Sequence, residues 1–215
     1  MSAWLTELLA LTSQWELLAV LLAAAYVVLA IRQSLWCWPA AAISASIYTG
    51  LFIQGSLYME SALQLFYVVM AGYGFYSWVS HRRQHSGSGP GIAITTMGWR
   101  THLLWLTGLT LLSAMLAWLL SRYTDADMVW LDTPTTVFSL FATVLVARRV
   151  LENWLYWIVI DFAYVALFWS KGFYPTAVLF AVYTLMAFIG YWRWRQSYQA
   201  QQRTDAGSLS EQYSY

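Results

Sequence analysis

Seven runs of mostly apolar residues, each near the length of about 20 that crosses a hydrocarbon core as an α-helix, divide this chain. They cover residues 14–31, 35–54, 58–79, 101–121, 129–147, 151–170 and 174–194. The broadest internal break, 84–98, contains Ser86-Gly87-Ser88-Gly89-Pro90-Gly91 and predicts a flexible linker. Residues 196–215 are polar and predict a frayed tail. Ahead of the first run, Trp4, Leu8 and Leu11 share one helical face. They fit either an interfacial helix or an unstructured leader. No Lys or Arg precedes Arg32 and no small-residue cleavage site follows a short apolar core, so no cleavable signal is expected.

The pattern occurs twice. Adding 116 to a residue number in the first half returns the same residue type at 14 positions between 29 and 78, without a gap. Trp38 pairs with Trp154, Tyr48 with Tyr164, Tyr67 with Tyr183, Gly74 with Gly190 and Trp78 with Trp194. Spans one to three form one copy and spans five to seven the other. Three spans leave the chain on the opposite side, so two parallel copies need one extra crossing, which is span four. The expected fold is an all-α integral membrane protein with seven transmembrane helices arranged 3+1+3. Its segments are a leader 1–13, a first repeat 14–79, a loop with linker helix 80–128, a second repeat 129–195 and a tail 196–215. Duplicated apolar units of this kind build transporters whose substrate sites lie at the repeat interface.

Composition supports a lipid-facing surface. The chain is 60% hydrophobic and 10% charged, whereas soluble domains carry about 25% charged residues. Fourteen Trp and fifteen Tyr are enough for aromatic belts at both interfaces with some left for a site. Trp78, Trp194, Tyr58 and Tyr174 end their spans and read as belt residues. A net charge of +1 gives no case for nucleic acid. The lone Cys37 excludes an internal disulfide and reads as a small apolar helix residue. Of eleven basic residues, nine arginines fall on one side of the seven-span arrangement; Arg122 and Lys171 fall on the other. The positive-inside rule makes the nine-arginine side cytoplasmic, with the N-terminus outside and the C-terminus inside.

Ionisable groups within spans are costly and usually functional. Asp161 lies midway along span six, on one helical face with Trp154, Trp157, Tyr164 and Phe168. It reads as an acceptor for substrate hydroxyls flanked by rings, or as a structural Asp bonded to a neighbouring helix. Span three carries Glu60, Gln64, Tyr67, Ala71, Gly74 and Trp78 on one face. The second copy has Thr176 and Phe180 at the places of Glu60 and Gln64, and the first has Ala45 at the place of Asp161. One asymmetric ligand would be read where the duplication is broken, which favours Gln64 and Asp161. Glu60, nearer the outer end, fits an interfacial role equally well, and Glu16 and Asp132 fit it better. Trp38, Tyr48, Tyr67 and Tyr183 lie deeper and fit either the repeat interface or plain packing.

Enzyme motifs such as HExxH, GxSxG, the P-loop and GxGxxG do not occur. His81, His85 and His102 have no metal-ligand spacing. Neither a catalytic centre, a metal nor a cofactor is expected. With no Lys or Arg inside a span, the expected solute is neutral or cationic, aromatic and rich in hydrogen-bonding groups.

The run Glu152-Asn-Trp-Leu-Tyr-Trp157, Asp161, Lys171-Gly-Phe-Tyr174 and Gly190-Tyr-Trp-Arg-Trp194 resembles the PnuC family of bacterial vitamin transporters. So do Trp36-Cys-Trp38, Tyr58-Met-Glu60 and the Leu63-Gln64 to Tyr67 element. The resemblance covers roughly residues 15–195. It implies a fold similar to the SWEET sugar carriers, in the bacterial inner membrane, and uptake of nicotinamide riboside, a cationic aromatic nucleoside. It further implies facilitated diffusion, a cytoplasmic kinase that traps the product on the way to NAD, and a homotrimer. Trp154 and Trp157 would then stack on or frame the pyridine ring. Gln64 and Asp161 would bind amide or ribose groups, and Tyr67, Tyr164 and Tyr183 would complete the wall. Relatives carry thiamine or riboflavin, so those substrates stay open, as does a non-transporting scaffold or binding subunit.

Overall fold

The computed structural model describes residues 14–54, 58–84, 93–123, 129–170 and 174–212. Seven helices make up the described chain: α1 (Gln14–Ile31), α2 (Cys37–Gln54), α3 (Tyr58–Gln84), α4 (Trp99–Tyr123), α5 (Val129–Ala147), α6 (Asn153–Ser170) and α7 (Tyr174–Gln212). The protein is an all-α membrane protein. Four helices, α1, α4, α5 and most of α7, are long and apolar enough to cross a bilayer by length and composition alone. The other three contain the polar residues singled out above: α2 carries Pro39, Ser44 and Thr49, α3 carries Glu60 and Gln64, and α6 carries Asn153 and Asp161. Those side chains lower the mean apolarity of segments that are otherwise long enough.

The chain forms two compact units, 1–84 and 85–215. In the first, α2 packs against both α1 and α3. In the second, the helices pack in sequence order, α4 on α5, α5 on α6 and α6 on α7. The turn between α1 and α2 shows how one helix ends and the next begins. Ala30 and Gln33 close a three-residue turn, Ser34 N–H bonds back to Leu29 C=O at 2.9 Å, and Gln33 sits at φ 56°. This is a Schellman termination, which satisfies carbonyls at a helix end through one left-handed residue. The α5–α6 turn repeats it 116 residues later. Arg149 sits at φ 62°, and Val150 N–H bonds to Leu145 C=O at 2.9 Å. Cys37 N–H to Ser34 C=O (3.1 Å) reappears as Asn153 N–H to Val150 C=O (3.2 Å). The duplication is thus present in backbone hydrogen bonds as well as in residue types.

Packing repeats too. Trp38 of α2 meets Trp78 of α3 edge-on, with centroids 5.3 Å apart and planes at 86°; Trp154 of α6 meets Trp194 of α7 at 5.6 Å and 84°. The large rings fit because Gly74 and Gly190 lie beneath them. A Cβ at Gly74 would come within 2.4 Å of the Trp38 ring, and one at Gly190 within 2.6 Å of the Trp154 ring. Trp78 and Trp194 are completely buried. The expectation that they form an interfacial belt is therefore corrected. Their helices do not stop there; α3 continues to Gln84 and α7 to Gln212, so both tryptophans lie inside a helix rather than at its end.

Two further expectations change. Residues 93–98, read as part of a flexible linker, form an extended strap on the second unit. Thr95 N–H donates to Arg149 C=O (3.1 Å) and Leu151 N–H to Thr95 C=O (2.8 Å), making a single parallel bridge to the α5–α6 turn. Ile94 N–H donates to Gln201 Oε1 at 3.1 Å and Met97 N–H to Glu152 Oε2 at 3.2 Å. Buried Ile94 anchors the strap; the apolar pair Ile92 and Ile94 was hidden behind the Gly/Ser run. The polar tail is likewise helical to Gln212, because α7 simply continues past its apolar part. The possible N-terminal interfacial helix and most of the Gly/Ser linker lie outside the described residues.

A Gly74→Ala substitution drives a methyl group into the Trp38 ring, whose retreat is blocked by Trp78. It is expected to lower stability by about 1–3 kcal/mol, the usual cost of overpacking. Gly72→Ala, two residues away with open space around its Cβ, should be neutral. Thermal unfolding of the detergent-solubilised protein separates the two, and equal melting temperatures would contradict the packing described.

Candidate functional site

The second unit gathers one group of the expected site residues. Asp161 is buried at 6% exposure near the middle of α6. It lies close enough to the hydroxyls of Tyr164 and Tyr183 to act on them electrostatically. Tyr164 also lies near the side chains of Thr135 and Thr136 on α5. α5, α6 and α7 thus converge on one carboxylate and two phenols. Beside them is a ring stack. Tyr164 and Phe168 are stacked at 6.0 Å, Phe180 lies 4.7 Å from Tyr164 and 5.4 Å from Phe168, and Tyr183 meets Phe180 edge-on at 6.0 Å.

The first unit carries the same frame with different chemistry. Tyr48 stacks on Phe52 at 5.6 Å and 23°, matching the 23° of Tyr164 on Phe168. The place of Phe180 is taken by Gln64 in sequence register. A position that closes the ring stack in the second unit therefore presents an amide in the first. Tyr67, one turn further along α3, is half-buried beside Phe66. Tyr26 of α1 joins this group. Its ring lies 6.1 Å from that of Trp38, in the neighbourhood of Tyr67. Sequence reasoning missed Tyr26. Its counterpart is Ala142, so the comparison of copies that flagged Gln64 and Asp161 holds the signal for Tyr26 as well, and for Thr135 opposite Ala19.

Trp154 and Trp38 are placed differently from a simple ring-stacking wall. Both are buried, seated on glycine and wedged edge-on against a second tryptophan. The indole Nε1 of each is buried without a hydrogen-bond partner in the protein. Buried polar groups are nearly always paired, which sets these two N–H groups apart from the ring faces packed around them. Trp157, half-buried, is the residue of the pair with ring surface still accessible. The Glu60 side chain lies outside the described residues. Asp132 is exposed near the start of α5, as expected for an interfacial carboxylate. Among the described residues no group of three or more His, Cys, Asp or Glu side chains is placed to hold a metal.

The family model described as nicotinamide mononucleotide transporter matches residues 13–196. The nicotinamide riboside transporter PnuC of Escherichia coli is 25% identical over 177 residues, covering 72% of this chain and 74% of that protein. The riboflavin/roseoflavin transporter RibM of Streptomyces davaonensis is 23% identical over 167 residues, 77% of either chain. The fold matches the crystal structure of the vitamin B3 transporter PnuC with a TM-score of 0.68 at 23% identity, over 86% of this chain and 81% of that one.

Replacing Tyr164 by Ala removes the ring stacked on Phe168 and Phe180. The expected loss of stability is about 3–5 kcal/mol, that of truncating a packed aromatic side chain. Denaturation of the variant in detergent reads this directly, and a wild-type midpoint would contradict the stack described.

Proposed function

Because the chain belongs to the nicotinamide mononucleotide transporter family, whose pattern runs through residues 13–196, we propose that it carries nicotinamide riboside across a bacterial inner membrane. The observation that carries the reading is the asymmetric chemistry set on a duplicated frame. One copy offers Asp161 with Tyr164 and Tyr183, and the other offers Gln64 with Tyr67. A nucleoside with a positively charged aromatic ring needs a carboxylate, hydroxyl acceptors and rings, and these are the groups supplied.

In this reading Trp157 lies along the pyridine ring. Trp154 and Trp38 contribute their indole N–H groups rather than their faces, since both rings are locked against glycine and tryptophan. Asp161 accepts ribose hydroxyls and Gln64 pairs with the carboxamide. Tyr48, Tyr67, Tyr164 and Tyr183 line the wall, with Glu60 at its outer end. The helices form a 3+1+3 arrangement, and alternating access moves the two triplets about the site. The nine-arginine side is cytoplasmic. Transport is facilitated diffusion by a homotrimer, without a catalytic step in this chain, and a kinase in the cell removes the product toward NAD. A second reading, riboflavin, is favoured by the similarity to RibM, since the ring stack of Tyr164, Phe168 and Phe180 also suits a larger flat heterocycle.

Uptake into liposomes by the purified protein tests the reading. Nicotinamide riboside should enter, and unlabelled riboflavin or thiamine should compete poorly. Preferential riboflavin or thiamine uptake would keep the carrier and replace its substrate, whereas no uptake by folded protein would favour a binding subunit. Gln64→Ala should weaken nicotinamide riboside binding by about 1–3 kcal/mol, the penalty for leaving a buried partner unpaired. Titration calorimetry measures it, and unchanged affinity would take Gln64 out of the site.

A further inference from the structure

The second unit holds a cavity that the proposed transport path does not use. It is a groove of about 540 Å³ walled by α4, α5 and α6. α5 packs on both neighbours and forms the floor with Pro134 and Phe138. α4 approaches α6 at the arginine-rich end, where His102 Nδ1 and the Tyr156 hydroxyl lie 3.0 Å apart. Beyond that contact the groove lies between Leu106 on one side and Leu155 and Val159 on the other. Its lining is almost wholly apolar, which excludes a water-filled passage for a polar solute.

Three observations identify the occupant. First, the groove opens on hydrocarbon-facing surface. Leu103, Leu104, Leu111 and Met115 of α4 are exposed, and so are Val159 and Phe162 of α6, at 69% and 66%. Second, its depth is that of one leaflet. The lining runs from Glu152, just before α6, to Ala163 on it, about 16 Å at helical rise, against about 15 Å for half of a bilayer core. Third, its mouth is polar and lies at headgroup level. Arg100 sits over the Trp99 ring at 5.6 Å on the first turn of α4, a pairing suited to the interface. Glu152 is the acidic residue among the lining, and its side chain stays one-fifth exposed while Oε2 accepts Met97 N–H and lies 4.0 Å from His102 Nε2.

We propose that this groove is a phospholipid site. It takes one acyl chain of the leaflet at the arginine-rich end, with an ammonium-bearing headgroup of the ethanolamine type set against Glu152. The carboxylate attracts the ammonium, Arg100 attracts the phosphate, and the apolar walls cover the chain. A glycerol headgroup carries no cation and leaves Glu152 facing a net negative lipid. The bound chain fills the gap between α4 and α6, which otherwise touch only near their arginine-rich ends.

Native mass spectrometry of the full chain, delipidated and then titrated with phosphatidylethanolamine or phosphatidylglycerol of equal chain length, tests the site. One ethanolamine lipid per chain should be retained under conditions that strip the glycerol lipid. Glu152→Gln keeps an acceptor for Met97 N–H but removes the charge. It should reduce the preference by about fivefold, the worth of one partly exposed ion pair. Val159→Trp fills the groove from its exposed side and should abolish the retained lipid. Ala163→Phe, at the far end, should restrict retention to shorter acyl chains, which keeps the test open if the tryptophan variant fails to fold. Equal retention of both lipids by the wild type, or full retention by Val159→Trp, would overturn the proposal. Loss of an oligomer in Val159→Trp with lipid retention unchanged would assign the groove to a second copy of the chain instead.

Discussion

A tryptophan lying on a glycine, pinned edge-on by a second tryptophan, sets the geometry of both halves of this protein. Lipid tails are as apolar as leucine, so burying apolar surface does little to drive helices together inside a membrane. Contact area and fit must do it instead. Gly74 and Gly190 remove the Cβ that would hold neighbouring helices apart, and the indoles of Trp38 and Trp154 occupy the space. Ring faces and edges meet at near right angles, the arrangement their quadrupoles favour. One wedge joins α2 to α3, which carries Gln64, and the other joins α6, which carries Asp161, to α7.

The wedges explain why one frame supports two different linings. Where the backbone turns and the tryptophan packing are duplicated, side chains further along the same helices are free to diverge. Tyr48 on Phe52 and Tyr164 on Phe168 keep the same 23° stacking. Phe180 extends that stack in one copy, and Gln64 replaces it in the other. Asp161 stands opposite Ala45.

The duplication, the all-helical membrane fold and the break in symmetry at Gln64 and Asp161 were legible in residue types alone, because offset identities and span lengths need no coordinates. What residue types could not reveal was depth. Trp78 and Trp194 fall where apolar runs give way to arginine, which is also where belt residues fall. Only the continuation of α3 and α7 past that point shows them to be interior. Residues 93–98 were masked by the flexible composition just before them, since a single buried isoleucine and a few backbone bonds leave little trace in composition. Tyr26 carries no signal in sequence beyond its opposition to Ala142, one of many mismatches between the copies. Trp154 was legible as special, but that its ring is buried edge-on against Trp194, with its N–H enclosed, depends on the packing of α6 on α7.

α7 is 39 residues long, about 58 Å at helical rise, nearly twice the thickness of a bilayer core. It is a rod longer than a bilayer core needs, and the strap grips it at Tyr198 and Gln201, in its polar C-terminal stretch. A rod held in this way converts angle into distance. A tilt of about ten degrees of the part within the membrane displaces a point about 25 Å further along by about 4 Å. The strap is then a fulcrum, and the α5–α6 turn to which it is bonded receives the torque.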